Sequence, residues 1–466
     1  MRPYGSNLYL TLTAPMLAAI SILATPAYAQ EVITEDFKLF ADDGIQGGHY
    51  GFSLALDDGT IALGAQYDDE NGIDSGAVFL YDASTGLQTT KLLHNDGQPG
   101  DYFGSSIAID NQLIVIGALG NFPSSPNYRG AAYLFDASTG SLISQLIPDD
   151  DFKEPIFGWL GESVAIGPNV VAVGLNEING TGTVYLFDPI TGTQLAKLIP
   201  NDQTNNMSFG VALAVHNGVI AVGASYASVN DTRPGAVYLF DGDPQSPNFG
   251  QQTNKLYPSD GITGAGFGSS VALNDTTIAI GSPGDYTNGF NSGAAYLFDI
   301  ASGEQLAKLL PHDGAPQFNF GRSVALTDRT LAVSSRFRTD FASDLDGTGY
   351  LFDLATQTEI ANLLPSELDT FSGFGDSIVI QDDTIAIASN RAVENAQRSV
   401  ATYVFNYTNT YCQADLTEDG VLNTLDVTAF FIYFSSQNPM TDFTNDDRWN
   451  FYDISAFFHA FTNGCP

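Results

Sequence analysis

Two twelve-residue stretches near the C-terminus carry side chains with the types and spacing of a metal site. In the first, Asp415, Thr417, Asp419, Asn423 and Asp426 place oxygen-bearing groups at loop positions 1, 3, 5, 9 and 12. In the second, Asp442, Thr444, Asp446, Asn450 and Asp453 repeat the same offsets. Backbone carbonyls are expected at position 7, from Val421 and Arg448. A hard cation such as Ca2+ gathers 6–8 oxygens, and this spacing wraps them within one turn of chain. An ordinary acidic loop before a helix would not reproduce five ligand offsets twice. Calcium is therefore the expected cofactor. Gly420 suits the sharp turn at position 6, whereas Asp447 there must adopt a left-handed backbone at some cost, which predicts a weaker second site.

Elements that could position these ligands follow each loop directly. Val427, Phe430, Phe431 and Phe434, then Ile454, Phe457, Phe458 and Phe461, recur at i, i+3, i+4, i+7 and define one apolar helix face each. The two faces are expected to pack together. Cys412 and Cys465 bracket the unit and are the only cysteines. In an exported chain such a pair is expected to form a disulfide, contributing on the order of 4 kcal/mol by the chain-entropy model.

No other catalytic constellation is evident. The five histidines, His49, His94, His216, His312 and His459, do not fall at matching repeat positions, and no Ser/His/Asp set, P-loop or HExxH motif is present. Carboxylates could still pair in space for glycoside chemistry, which sequence does not reveal.

The bulk of the chain, from about residue 37 to 406, is one motif repeated seven times. Each copy has an aromatic-Gly pair, a strand of the "xIAxGA" type, a "GAxYLFD" strand, a "TG" turn and a strand ending in "LLP". The glycine of the first pair falls at Gly51, Gly104, Gly161, Gly210, Gly268, Gly321 and Gly375. A period near 50 residues with four short strands per unit marks propeller blades. Blade 7 lacks a fourth strand, and an orphan fourth strand, residues 37–43, stands at the other end of the chain. It is expected to pair with the strand around residues 401–405 and shut the ring, removing two exposed sheet edges. Hairpins carry Asp82, Asp136 and Asp188 ahead of Gly86, Gly140 and Gly192, which supply Asx-type bonding and positive φ; Gln357 replaces the glycine in blade 6.

The remaining composition bounds the setting. Residues 1–29 read as a signal peptide: Arg2, an apolar run through Leu17, Ile20, Ile22 and Leu23, and a small-x-small site at residues 27–29. Residues 30–408 form the expected propeller and 409–466 the tail module. No other stretch is apolar enough for a transmembrane segment. Acidic residues outnumber basic ones 53 to 16, a net charge of −37 that argues against nucleic acid as partner.

The seven repeats in register resemble the FG-GAP repeat family, whose members include the seven-bladed propeller of integrin α-subunit heads. Repeats of that type often carry a DxDxDGxxD calcium loop between the second and third strands. Here blade 1 offers Asp68, Asp69, Glu70, Asn71 and Asp74, blade 6 Asp344 and Asp346, and blade 5 only Asp285 and Asn288. A plain acidic turn is the simpler reading of each. The tail is similar to a dockerin of the kind that ends in Gly-Cys, with EF-hand-type calcium loops. That resemblance implies a cohesin-like protein partner. The fold expected is thus all-β, a seven-bladed propeller closed by an N-terminal strand, with a small all-α dockerin-like module. The function expected is non-enzymatic recognition of extracellular protein or polysaccharide, in adhesion or scaffolding, at the cell surface or secreted. A carbohydrate-active protein, either a lectin or a polysaccharide-degrading enzyme, is the alternative, and a purely structural envelope component a third reading.

Overall fold

In the computed structural model the described residues are 31–40, 50–94, 97–120, 130–149, 158–177, 180–204, 207–230, 232–336, 347–366, 373–389, 393–394, 397–398, 401–407, 416, 424–435, 441 and 448–463. Apolar runs place the strands. Second and third strands such as Thr277–Ser282 and Ala294–Asp299 are buried nearly throughout, because both faces of a blade pack on neighbouring blades. Fourth strands such as Gln305–Leu309 alternate, with one face toward solvent. Four-stranded antiparallel sheets built this way form blades 1 to 5.

Seven such sheets close into a ring. The innermost strands are Tyr50–Asp57, Phe103–Asp110, Gly158–Gly167, Phe209–His216, Ser270–Leu273, Val324–Leu326 and Phe374–Gln381. Each packs on the next, and the last packs back on the first. The expected closure is present. Phe37–Leu39 pairs antiparallel with Ala401–Asn406, in the register Phe37↔Val404, Lys38↔Tyr403 and Leu39↔Thr402. The continuation of that strand through residues 41–43 lies outside the described residues. Asp36 fastens the joint from both ends: its N–H donates to Val404 O at 2.8 Å, and its carboxylate accepts from Asn406 N at 2.7 Å.

A second pairing was not legible beforehand. Glu31–Thr34 lies parallel to Glu359–Leu364 and gives blade 6 a fifth strand. Glu35 then accepts from both the N–H and the Oγ of Ser366, at 2.6 and 2.7 Å. One short N-terminal segment thus covers the outer edges of two adjacent blades.

The signature residues of the repeat explain the joints. In blades 2 and 4 to 7 the Phe before the repeat glycine packs edge-on against two rings of its own third strand: Phe267 lies 5.3 Å from Tyr296 and 5.8 Å from Phe298, and Phe320 pairs likewise with Tyr350 and Phe352. Burying each such ring contributes about 1.5–3 kcal/mol. Gly293 sits where a Cβ would strike the Phe320 backbone of the next blade, and a bridge links these two residues. Only glycine permits so close an approach. A serine two positions after the aromatic-Gly glycine donates across the joint to the next blade: Ser53 to Gly104 O at 2.7 Å, Ser106 to Gly161 O at 2.7 Å and Ser270 to Gly321 O at 3.2 Å.

Beyond the ring lie two helices, α1 (Thr424–Ser435) and α2 (Phe451–Asn463). They meet through Phe430 and Phe457, both fully buried and stacked at 4.1 Å, with Leu416 beside them. Phe431 and Phe458, expected on the packed faces, are instead largely exposed and touch only at the rim, 6.3 Å apart. Val427, Phe434, Ile454 and Phe461 pack around that pair as the spacing predicts. No helix among the described residues is long and apolar enough to cross a membrane.

Candidate functional site

Loops between second and third strands share one face of the ring with the loops joining successive blades. On that face a lysine of the fourth strand recurs, and around it a small polar cluster is built. Blade 5 shows it most completely. Lys308 Nζ reaches Asp260 Oδ2 at 2.6 Å, Asp285 Oδ2 at 2.9 Å and Thr287 Oγ1 at 2.8 Å. It stands 5.2 Å above the ring of Tyr296. The Tyr296 hydroxyl lies 3.1 Å from both Asp260 and Asp285 and shares its one proton between them.

Electrostatics follow from that arrangement. Burial alone would raise the Asp285 carboxyl, but hydrogen bonds from Thr287 and Lys308 outweigh it and hold the group below its ordinary value of 3.8. Burial, and then the two facing carboxylates, push the Tyr296 hydroxyl far up, so it acts as a donor throughout the physiological range. Blade 1 repeats the theme with Lys91 Nζ at 2.8 Å from Asp68 and 2.7 Å from Glu70, 4.8 Å above the ring of Phe79. In blade 4, Lys255 meets Asp202 at 2.5 Å and the Ser228 carbonyl at 3.2 Å. Lys197 and Lys38 stack on Tyr185 and Tyr403. Blade 6 has Asn362 at this position, and Tyr350 donates to Asp313 at 2.9 Å instead.

Sequence reasoning missed these lysines. The signal was available: in a chain with only 16 basic residues, five lysines occupy one repeat position, at residues 38, 91, 197, 255 and 308.

The blade 1 and blade 5 turns are closed by the same bonds. Ser75 Oγ donates to Asp68 O at 3.1 Å and Ser292 Oγ to Asp285 O at 3.2 Å. The blade 6 pair Asp344 and Asp346 lies outside the described residues. No group of three or more His, Cys, Asp or Glu converges as a metal centre among the described residues.

Three histidines serve local contacts, while His49 and the side chain of His459 lie outside the described residues. His216 pairs with Asp275 at 2.7 Å, His312 Nδ1 with Glu359 at 2.8 Å, and His94 packs 4.3 Å from Tyr133. None has a serine or cysteine nucleophile bonded to it among the described contacts. On the clustered face, Tyr226, Tyr257, Tyr286 and Phe290 of blades 4 and 5 are exposed, and Tyr286 stacks on Phe290 at 5.5 Å and 22°.

Of the tail ligands expected from sequence, Asp415, Thr417, Asp419, Val421 and Asn423 of the first loop lie outside the described residues, as do Asp442, Thr444 and Asp446 of the second. Gly420, Asp447, Cys412 and Cys465 lie outside them too. Asp426, Arg448, Asn450 and Asp453 are described. Asp426 and Asp453 occupy the same position in the first turns of α1 and α2, and both are fully buried. Asn450 caps α2: its Oδ1 accepts from Tyr452 N at 2.8 Å, while Asp453 Oδ2 accepts from Asn450 N at 2.8 Å. This reciprocal box orients both side chains. The Arg448 carbonyl accepts from Asn450 Nδ2 at 3.0 Å.

A comparison with curated proteins found no match. Among solved structures, the computationally designed Ika8 protein, crystallised in P63, aligns over 80% of this chain and 99% of its own at 14% identity, with a TM-score of 0.45. The FG-GAP repeat profile matches residues 33–81, 87–135, 193–240, 251–298 and 304–352. Each match starts at or just before a fourth strand and ends on the third strand of the following blade, so the sequence unit is offset from the structural one. The matches span just over half of the sequence, and with the seven closed blades they show that this chain belongs to the FG-GAP repeat family.

Proposed function

We propose that the protein is an exported, non-enzymatic recognition propeller that binds polysaccharide outside the cell and is attached or assembled through a calcium-folded tail. An FG-GAP propeller fits a recognition or binding role. The observation that carries the polysaccharide reading is the aromatic group on the clustered face. Tyr286 and Phe290 form an exposed pair of offset-stacked rings, with Tyr257 and Tyr226 exposed on the preceding blade. Aromatic faces beside a few fixed polar groups suit neutral sugars, while the net charge of −37 disfavours polyanions.

The export signal expected from the sequence of residues 1–29 supports the extracellular setting. In the tail, two buried carboxylates at equivalent places, Asp426 and Asp453, suit a cation enclosed by the loop before each helix. If Ca2+ is held there, its oxygens come from Asp415, Thr417, Asp419, Asn423 and Asp426, and from Asp442, Thr444, Asp446, Asn450 and Asp453. The Val421 and Arg448 carbonyls complete the two sets. The ion would neutralise these carboxylates and fix the helix pair. The exposed rim residues Leu425, Phe431, Tyr452 and Phe458 would then face a cohesin-like partner.

Binding to a panel of neutral polysaccharides tests the reading. Tyr286→Ala together with Phe290→Ala should weaken binding at least tenfold with the ring's melt unchanged. Unaltered binding would place the ligand elsewhere, and reducing ends released during incubation would favour the polysaccharide-degrading alternative. For the tail, Asp415→Ala with Asp442→Ala should remove a calcium-dependent transition and leave the ring's own transition in place.

A further inference from the structure

We propose that the Lys308 and Lys91 ammonium groups take the place of a divalent cation in the second-to-third loops of blades 5 and 1, so that the ring is held by internal cations. The loops stand where the FG-GAP resemblance places calcium-binding turns, and each opens with a buried carboxylate, Asp285 and Asp68. What those carboxylates hold is a lysine. In blade 5 three oxygens surround Nζ at 2.6–2.9 Å, from Asp260, Asp285 and Thr287. Three oxygens satisfy the three donors of an ammonium group. A calcium ion needs 6–8, and one side of the seat is closed by the face of Tyr296, 5.2 Å from Nζ, which offers a cation–π contact and no ligand oxygen. Blade 1 is the same device with two carboxylates and the Phe79 face. Asp68 and Asp285 are fully buried, so each depends on its cation, and the lysine supplies it from within the chain.

The lysine also crosses a joint. Asp260 belongs to the segment linking blade 4 to blade 5, while Asp285, Thr287 and Lys308 belong to blade 5 itself. The ammonium therefore fixes the position of the blade-to-blade loop beside the stacked aromatic pair. That anchoring is insensitive to chelation, whereas a calcium-held loop would loosen. The inference concerns the ring alone and stands whether or not the tail binds calcium.

Equilibrium dialysis of the full-length protein in about 5 mM Ca2+ tests it, reading differences between variants so that tail-bound ions cancel. Asp285→Asn should bind as many ions per chain as the unaltered protein. Lys308→Ala, which empties the seat and admits water to complete a coordination shell, should bind one more, in the range of about 10⁻⁴–10⁻³ M typical of extracellular calcium modules. Lys308→Arg should gain none. The proposal is overturned if Asp285→Asn loses an ion, since the ring would then already hold a metal, or if folded Lys308→Ala gains none. Should Lys308→Ala fold only when calcium is present, the seat has accepted the ion and the proposal stands. Should it fold in neither condition, Lys91→Ala gives the same count for blade 1 and decides by the same criterion.

Discussion

Blades 5 and 6 are neighbours built from one repeat, yet they are finished in different ways. Blade 5 keeps every element of the unit: the lysine cluster, the hairpin glycine Gly303 and its own outermost strand as the edge. Blade 6 has Asn362 where the lysine stood, Gln357 at the hairpin in a left-handed conformation (φ 59°), and a fifth strand brought from the N-terminus. Blade 7 goes further and borrows its fourth strand from the same segment. Blade 5 ends on its own chain, whereas blades 6 and 7 are finished by chain supplied from the N-terminal segment.

The largest test of that contrast compares two leucines at one repeat position, Leu39 on the borrowed strand and Leu309 in blade 5, both buried. Truncation of either to Ala should cost about 3 kcal/mol in chemical denaturation, from lost burial and the cavity left behind. Only Leu39→Ala should also self-associate on size-exclusion chromatography, because loosening the segment uncovers the edges of two blades. Equal behaviour of the two variants would mean that the segment does not serve as an edge cover.

A smaller effect is expected at the blade 6 hairpin. Gln357→Gly should raise stability by about 1 kcal/mol, because it relieves the left-handed strain that Gly303 avoids in blade 5. Gly303→Gln should lower it by a similar or larger amount, since even a Cβ there would strike Asn254.

Acid gives the mildest readout per group. Ser84 and Thr85 hydroxyls and N–H groups bonded to Asp82 depress its pKa from 3.8 to about 2, and Asp136, Asp188 and Asp299 are lowered in the same way at equivalent turns. A depressed folded-state value stabilises above the unfolded value and is lost as pH falls through the folded one. Melting temperature should therefore hold from neutrality to about pH 4 and decline toward pH 2. A flat profile over that window would mean these bonds persist in the unfolded chain.

How much of this was legible in the sequence depended on locality. Seven blades could be counted because glycine and aromatic pairs recur in register. The closing strand could be placed because Phe37-Lys38-Leu39 is a misplaced copy of a fourth strand. Glu31–Thr34 carries no repeat signature and places only Ile33 against a core, so nothing announced its parallel pairing with blade 6. The lysine seat was hidden for another reason. Lys308 lies 23 residues from Asp285 and 48 from Asp260, and only the folded blade with its lead-in loop brings them together. In the tail, helix positions followed from apolar spacing. Which phenylalanines would be covered did not, because two short helices bury one ring each and leave Phe431 and Phe458 at the rim.

The clasp of Phe37–Leu39 on Ala401–Asn406 sets an order of events during synthesis. Residues made first must wait for residues made nearly last, so the ring stays an open arc while its middle wedges are already formed. Joining ends this far apart along the chain is a slow step, and the arc's two raw margins remain exposed to other unfinished copies until it happens. Association between unfinished arcs is then a hazard that ends only when the circle shuts.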